Sequence, residues 1–322
     1  MTDVTISGGS RDHFGAETAG PAAPRQAIRA PRRSALILNG AVLAETKGEL
    51  GASGFEVVLR GIDELAFTIG AGTVGVHETV SGRDLADFSF VHVASFPKPT
   101  GTLLNAVTAY LRHHGVDAVN AEGIGAPTRL LQYVRFAQAG IPVPVTRYVP
   151  PRILAGVYPE LAEQLGLPFV LTPLRGGAGR RDLLISDEAS FAGALCAADH
   201  ANFMAREFIP ADAVHHLLVL GREVSMIMRQ DISFAEPCLP RISEGGTLSL
   251  IDAAGFNADA RNLGVQAASL MGLDVAGVSI VRHWTTSEWC VLDTNASLPF
   301  SAGAFVSHKV NAYTGYLWRK LV

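Results

Sequence analysis

The chain has 322 residues, 48% of them apolar and only 17% charged, enough apolar content for two or three lobes that each bury a core. That balance excludes a wholly disordered chain, and no apolar run reaches the length of a membrane span. The formal net charge of -4 gives no basic excess of the kind a nucleic-acid surface needs, so small-molecule chemistry, away from nucleic acid and membranes, is the expectation.

Residues 1–33 are rich in Gly, Ala, Pro, Ser and Thr with scattered arginines and read as a disordered leader. Arg32 and Arg33 before the apolar stretch Ala35 to Ala44 resemble a twin-arginine signal. Asn39-Gly40 interrupts that stretch, however, and Ser34 to Leu38 reads as a first buried strand turning at Gly40 into a helix. Apolar runs at Phe55 to Leu59 and Phe88 to Val93 follow. A helix from Gly101 to His114, with Leu104, Val107, Tyr110 and Leu111 on one face, completes a small α/β lobe over residues 34–122.

Within that lobe Gly70, Gly72 and Gly75 satisfy GxGxxG. A dinucleotide site needs the motif to open a helix, whose free amides receive the pyrophosphate. Here Val76 to Gly82 follow, β-branched and broken by glycine, so a hairpin is expected instead. No P-loop or nucleophile elbow occurs either.

The next expected elements are a helix from Pro127 to Ala139 capped by Gly140, an extended segment from Ile141 to Pro150, a helix from Tyr158 to Leu165 and a strand from Pro168 to Leu171. A Gly/Arg loop, Arg175 to Arg181, leads through a strand to a helix at Glu188 to Ala197 and a strand from Met204 to Ile209. Leu217 to Leu220 and Glu223 to Arg229 read as a hairpin about Gly221-Arg222. A helix from Asn257 to Met271, strands around Val278 and Val291 and a terminal helix from Ser307 complete an α+β region.

The three cysteines, Cys196, Cys238 and Cys290, are far apart and fit no disulfide framework or metal knuckle, which suits the cytoplasm. The pairs His113-His114 and His215-His216 cannot each chelate one ion, because neighbours on a strand face opposite ways and neighbours on a helix diverge.

Four stretches, in order, carry a resemblance: Phe136 to Val145, Pro168 to Gly179, Arg206 to Ile209, and Leu273 to Val278 with Leu292 to Ser297. In sequence and spacing they resemble the RimK-type ligases of the ATP-grasp superfamily, which include ribosomal-protein glutamate ligases and relatives that modify peptides. The resemblance implies an α/β N-terminal lobe followed by an α+β ATP-grasp fold, whose two β-rich lobes clamp a nucleotide. It divides the chain into a central lobe over 123–206 and a C-terminal lobe over 207–322. It also implies ATP and Mg2+ as cofactors, a peptide or small-molecule carboxylate and an amine as substrates, and a homo-oligomer, since members are often dimers or tetramers.

In such ligases ATP phosphorylates a carboxylate and an amine attacks the acyl phosphate, so a polyanion must be held away from water. By resemblance Glu207, Phe208 and Ile209 form the adenine hinge, with Asp212 at the ribose. Gly176, Gly177, Gly179 and Arg180 of the Gly/Arg loop, flanked by Arg175 and Arg181, cover the phosphates, where glycines let amides approach and arginines add charge-assisted bonds. Arg229 matches an arginine near the transferred phosphate, and Arg241 with Glu244 is expected at the substrate. Asp293 and Asn295, two apart on one strand, share a face and provide hard oxygens for magnesium.

Departures accompany the match. Thr172 and Arg129 stand where the family has lysines, Ser279 where it has a metal aspartate, and Asp293 where it has a glutamate; Val214 to His216 replace an Asp-Ile-Arg stretch. Two readings therefore stay open: an ATP-dependent carboxylate-amine ligase, or a degenerate nucleotide- or protein-binding module with little catalysis.

Overall fold

The computed structural model describes residues 33–39, 47–48, 51–52, 54–94, 101–121, 128–174, 182–197, 202–232, 247–296 and 304–322. Residues 1–32, most of the stretch after Gly40 where a helix is expected, and the whole Gly/Arg loop lie outside these residues.

Strands β1 (Ser34–Leu38) and β2 (Glu56–Arg60) are followed by the hairpin β3 (Leu65–Gly70) and β4 (Thr73–Glu78), then by β5 (Phe90–Val93), helix α1 (Gly101–His113) and β6 (Asp117–Val119). Four of these strands form a parallel sheet in the order β2-β1-β5-β6. All five residues of β1 are buried, which explains its unbroken apolar run: a parallel strand is covered on both faces. Leu36 and Leu38 meet Leu104, Val107, Tyr110 and Leu111 of α1, the four residues expected on its inner face. The GxGxxG stretch is the β3–β4 hairpin, with Gly70 opposite Thr73 and Gly72 at φ 75° in the two-residue turn.

Helix α2 (Arg129–Gln138), strand β7 (Thr146–Tyr148), the short helix α3 (Pro151–Leu154) and helix α4 (Tyr158–Leu165) come next. Then β8 (Phe169–Pro173), β9 (Leu183–Ile185), helix α5 (Glu188–Ala197) and β10 (Phe203–Glu207) complete an antiparallel sheet of order β7-β10-β8-β9. Period-two alternation sends Phe169, Leu171, Phe203 and Ala205 into a core with Leu161 and Leu165 of α4 and Phe191 of α5. Val170, Thr172, Met204 and Arg206 therefore project from the opposite face.

A second antiparallel sheet contains β11 (Ala213–Leu220), β12 (Glu223–Asp231), β13 (Leu248–Ile251), β14 (Val275–Arg282) and β15 (Trp289–Asn295), in the order β13-β12-β11-β14-β15. Helix α6 (Ala258–Leu270) covers one face, where Leu217, Val219, Ile227, Val278 and Val291 pack with Leu263, Ala267 and Ala268. Phe136 of α2 joins this core. Helix α7 (Val306–Leu321) covers part of the other face: Tyr313, Tyr316 and Leu317 lie between Leu218, Leu220 and Met228 on one side and Ala35, Ile37 and Phe90 of the parallel sheet on the other. The last helix thus fastens the first strands to the C-terminal sheet. Among the described residues no helix is long and apolar enough to cross a membrane.

Candidate nucleotide site

The candidate residues come from the face of the central sheet that carries Thr172 and Arg206, from α2, and from the face of the C-terminal sheet opposite α6. On β14 and β15, Ser279 stands directly opposite Asp293, and Gly277 opposite Asn295, so the alternation expected for Asp293 and Asn295 does place them on one face. His216 of β11 is the next partner across, in register with Ser279, and its Nδ1 lies 3.0 Å from Ser279 Oγ. Its Nε2 lies 3.0 Å from Gln230 Oε1, so the imidazole donates to Gln230 and accepts the Ser279 hydroxyl. Burial holds His216 below the usual histidine range, which keeps it neutral in this row of hydrogen bonds.

Arg129 opens α2, behind the Thr128 side chain that accepts from Leu131 N at 3.3 Å. A cation in the first turn works against the helix dipole and needs compensation from elsewhere. It is found in two carboxylates: Arg129 donates to Asp182 Oδ1 at 2.8 Å and lies 3.8 Å from Asp293. Burial opposes its charge, but Asp293 and Asp182 outweigh that and hold the guanidinium more firmly protonated than usual. The other oxygen of Asp182 accepts from Arg206 at 2.7 Å. Arg206 also donates through Nε to the Thr172 hydroxyl at 3.0 Å and through NH1 to the Tyr133 hydroxyl at 3.3 Å. Tyr133 in turn donates to Leu292 O at 3.0 Å, and burial raises its own pKa. Gln132 of α2 donates to Thr294 O at 2.8 Å and accepts from Thr294 N at 3.0 Å, which fixes the helix to the edge strand that carries Asp293.

The segment after β10 runs along the rim. Glu207 N donates to Val145 O at 2.9 Å, and Ile209 enters a small apolar cluster with Ala211, Val214 and Val281, flanked by Ile232, Cys290 and Leu292. These side chains make the apolar wall that a planar base requires beside a strand of backbone donors and acceptors. Phe208 is partly exposed between the two. Asp212, at the start of β11, is exposed and pairs with Arg229 at 2.9 Å.

Arg229, though paired with Asp212, does not share a face with Ser279 and Asp293. It is in register with His215, whose ring packs on Phe256 and Trp289 at 5.2 and 5.3 Å on the α6 face, the reverse of the face bearing Ser279 and Asp293. Strand alternation is the reason, and the β12 side chain that reaches the Ser279 row is the next one, Gln230. Arg241, Glu244, Gly176, Gly177, Gly179, Arg180 and the flanking Arg175 and Arg181 lie outside the described residues. His215 and His216 do point to opposite faces, as their adjacency requires.

No protein-family model matches the chain. Two probable alpha-L-glutamate ligases, from Shewanella sp. and Shewanella putrefaciens, are each 28% identical over 265 residues, covering 78% of this chain and 83% of theirs. The structure of the ATP-grasp ligase PsnB complexed with minimal precursor, Mg and ADP superposes with a TM-score of 0.66 at 17% identity, over 90% of this chain and 97% of that one. The chain has the ATP-grasp fold. A RimK domain ATP-grasp protein from Sphaerobacter thermophilus (TM-score 0.59, 18% identity, 88% and 98% covered) and the VanG D-Ala:D-Ser ligase of Enterococcus faecalis (0.64, 13%, 90% and 98%) have the same architecture.

Among the described residues no three His, Cys, Asp or Glu side chains form a metal cage. Magnesium does not need one: it keeps several waters and is commonly held by one or two carboxylates together with phosphate oxygens. Asp293 with Asn295 beside it fits an ion that arrives with a nucleotide. Sequence reasoning assigned no role to Arg206, Asp182, Tyr133, His216 or Gln230. The available signal was a charged residue ending the apolar run Phe203-Met204-Ala205.

Proposed function

We propose that the protein is an ATP-dependent carboxylate-amine ligase working through an acyl phosphate. The observation that carries this reading is Arg129, which joins Asp182, the residue next after the Gly/Arg loop, to Asp293, the candidate metal ligand. That bridge supports a reading in which a triphosphate is held near Arg129, between the residue that follows the loop and the candidate metal ligand.

In this reading the backbone of Glu207, Phe208 and Ile209 and the apolar wall behind them hold adenine. Asp212 takes the ribose hydroxyls after releasing Arg229. Arg129, Gly176, Gly177, Gly179 and Arg180 hold the phosphates beside Thr172, and Arg241 receives the substrate carboxylate. Asp293 and Asn295 orient the hydrated metal, with Ser279 as a neutral neighbour; magnesium, when bound, offsets the charge on the phosphate oxygens. The substrate carboxylate attacks the γ-phosphorus and ADP departs with the bridging electron pair. The amine then attacks the acyl carbon, inorganic phosphate leaves, and the amine proton is lost to solvent. A peptide carboxylate is the favoured substrate, supported by the glutamate ligases at 28% identity and by the precursor-bound PsnB structure of the same fold. We place the protein in the cytoplasm, where ATP and magnesium are abundant, as a homo-oligomer.

One observation favours the second reading, a nucleotide-binding module with little turnover. Ser279, at the family's metal aspartate position, is already hydrogen bonded to a neutral His216. Incubation with ATP, magnesium and pools of amino acids and peptides separates the two: the ligase releases ADP and adds mass to an acceptor. Asp293→Asn should lower that ADP release about a hundredfold or more. ADP release undiminished in this variant, or nucleotide binding without any ADP formed by the wild type, would sink the ligase.

A further inference from the structure

We infer that Arg206 is a phosphate anchor of the nucleotide site, a guanidinium on β10 that takes over the charge Thr172 does not provide on β8. The inference rests on the nucleotide reading above. Arg206 is only 4% exposed and lies on the face of the central sheet opposite its own apolar core, in register with Val170 and diagonal to Thr172, where Tyr133 of α2 meets it. Its fork spans Thr172, Tyr133 and Asp182, so the head group is turned toward α2 and away from the core of its own lobe.

Charge decides what this geometry is for. Arg129 and Arg206 share one carboxylate, Asp182, and Asp293 sits 3.8 Å from Arg129. Among the described residues two guanidiniums meet two carboxylates, but Asp293 in the nucleotide reading belongs to a metal. Once it is so engaged, Asp182 alone faces two cations, and the pair has room for a further anion. A buried ion pair serving only stability is often no better than apolar packing of the same volume, so its cost points to a ligand. A guanidinium suits phosphate because its planar donors can engage two oxygens together. Asp182, bridging the two arginines with one oxygen each, holds them in the positions that phosphate oxygens would use. As the polyphosphate enters, like-charge repulsion moves that carboxylate aside.

The test compares Mg-ADP with adenosine, which shares the base and ribose but has no phosphate, by calorimetry on wild type, Arg206→Gln, Arg206→Lys and the double variant Thr172→Lys/Arg206→Gln. Arg206→Gln should weaken Mg-ADP about tenfold to a hundredfold and leave adenosine unchanged. Arg206→Lys, which keeps the charge if the glutamine variant fails to fold, should lose less. The double variant, with the cation moved back to β8, should regain most of the affinity. Unchanged Mg-ADP affinity in Arg206→Gln, an equal loss for adenosine, or a folded double variant that regains nothing would each overturn the inference. A wild type that binds neither ligand would instead overturn the nucleotide reading, and Arg206 with it.

Discussion

Two buried polar links cross between the sheets of this molecule, and their charge separates them. Near the N-terminal sheet, Asn120 donates to Val275 O at 2.8 Å and accepts from the amides of Asp274 and Val275 at 2.9 and 3.1 Å, while His92 pairs with the Tyr313 hydroxyl at 2.5 Å. Every member is neutral and lies deep in the interior, so the link is complete without a ligand and serves to fasten α7 and β14 to the parallel sheet. At the cleft, Arg129, Arg206, Asp182 and Asp293 carry four formal charges at the edge of the gap. Polar groups that only fasten can be neutral; polar groups that must receive an anion have to remain charged and be held by replaceable partners.

The largest expected effect comes from Asp182→Asn, which leaves two partly desolvated guanidiniums without their shared carboxylate. It should cost about 3–5 kcal/mol of stability, and Mg-ADP should raise the melting temperature more in this variant than in wild type. A destabilised variant that ligand does not rescue would make the cleft link as purely structural as the other one. Asn120→Ala comes next. It strips three backbone groups of their partner at a residue with φ 55°, where alanine is strained, and should cost roughly 2–4 kcal/mol. Mg-ADP affinity should not change, and a shift in affinity beyond about threefold, checked by titration, would erase the contrast between the links.

His92 sharpens the comparison through pH. Burial lowers its pKa from 6.5 to about 3, so the folded protein favours the neutral ring. The contribution to stability is therefore whole above the unfolded value of 6.5 and falls as acid is added toward the folded value of about 3. The expected slope is up to roughly 1.4 kcal/mol per pH unit in that window, measurable by urea unfolding at several pH values, and His92→Gln should flatten it. The smallest effect is expected for Arg229→Ala. Its pairs with Asp212 and Asp231 are exposed, so stability should change by less than about 1 kcal/mol and ADP release by little. A steep loss of ADP release would return Arg229 to the cleft and break the assignment of faces.

Much of the fold was legible because its signals are local. The helices at Tyr158–Leu165 and Glu188–Ala197 begin and end where periodicity places them, and the hairpin at Gly70 to Thr73 follows from glycine and β-branched residues alone. Less regular pieces were missed: β6 and β13 are three and four residues long, too short for a period to appear. The shared face of Asp293 and Asn295 follows from their two-residue spacing on one strand. Arg229, expected near the transferred phosphate by resemblance, faces α6 with His215, and alternation turns the next side chain, Gln230, to the Ser279 face.

The sequence by itself determined the longer strands and helices and the shared face of the two metal candidates. Only the tertiary structure decided that Arg206 stands beside Thr172, that Asp182 joins it to Arg129, and that His216 occupies the hydroxyl of Ser279. Those pairings connect residues 24 to 63 positions apart. Propensity and periodicity act over a few neighbours, whereas charge compensation in a cleft depends on which sheet faces come together.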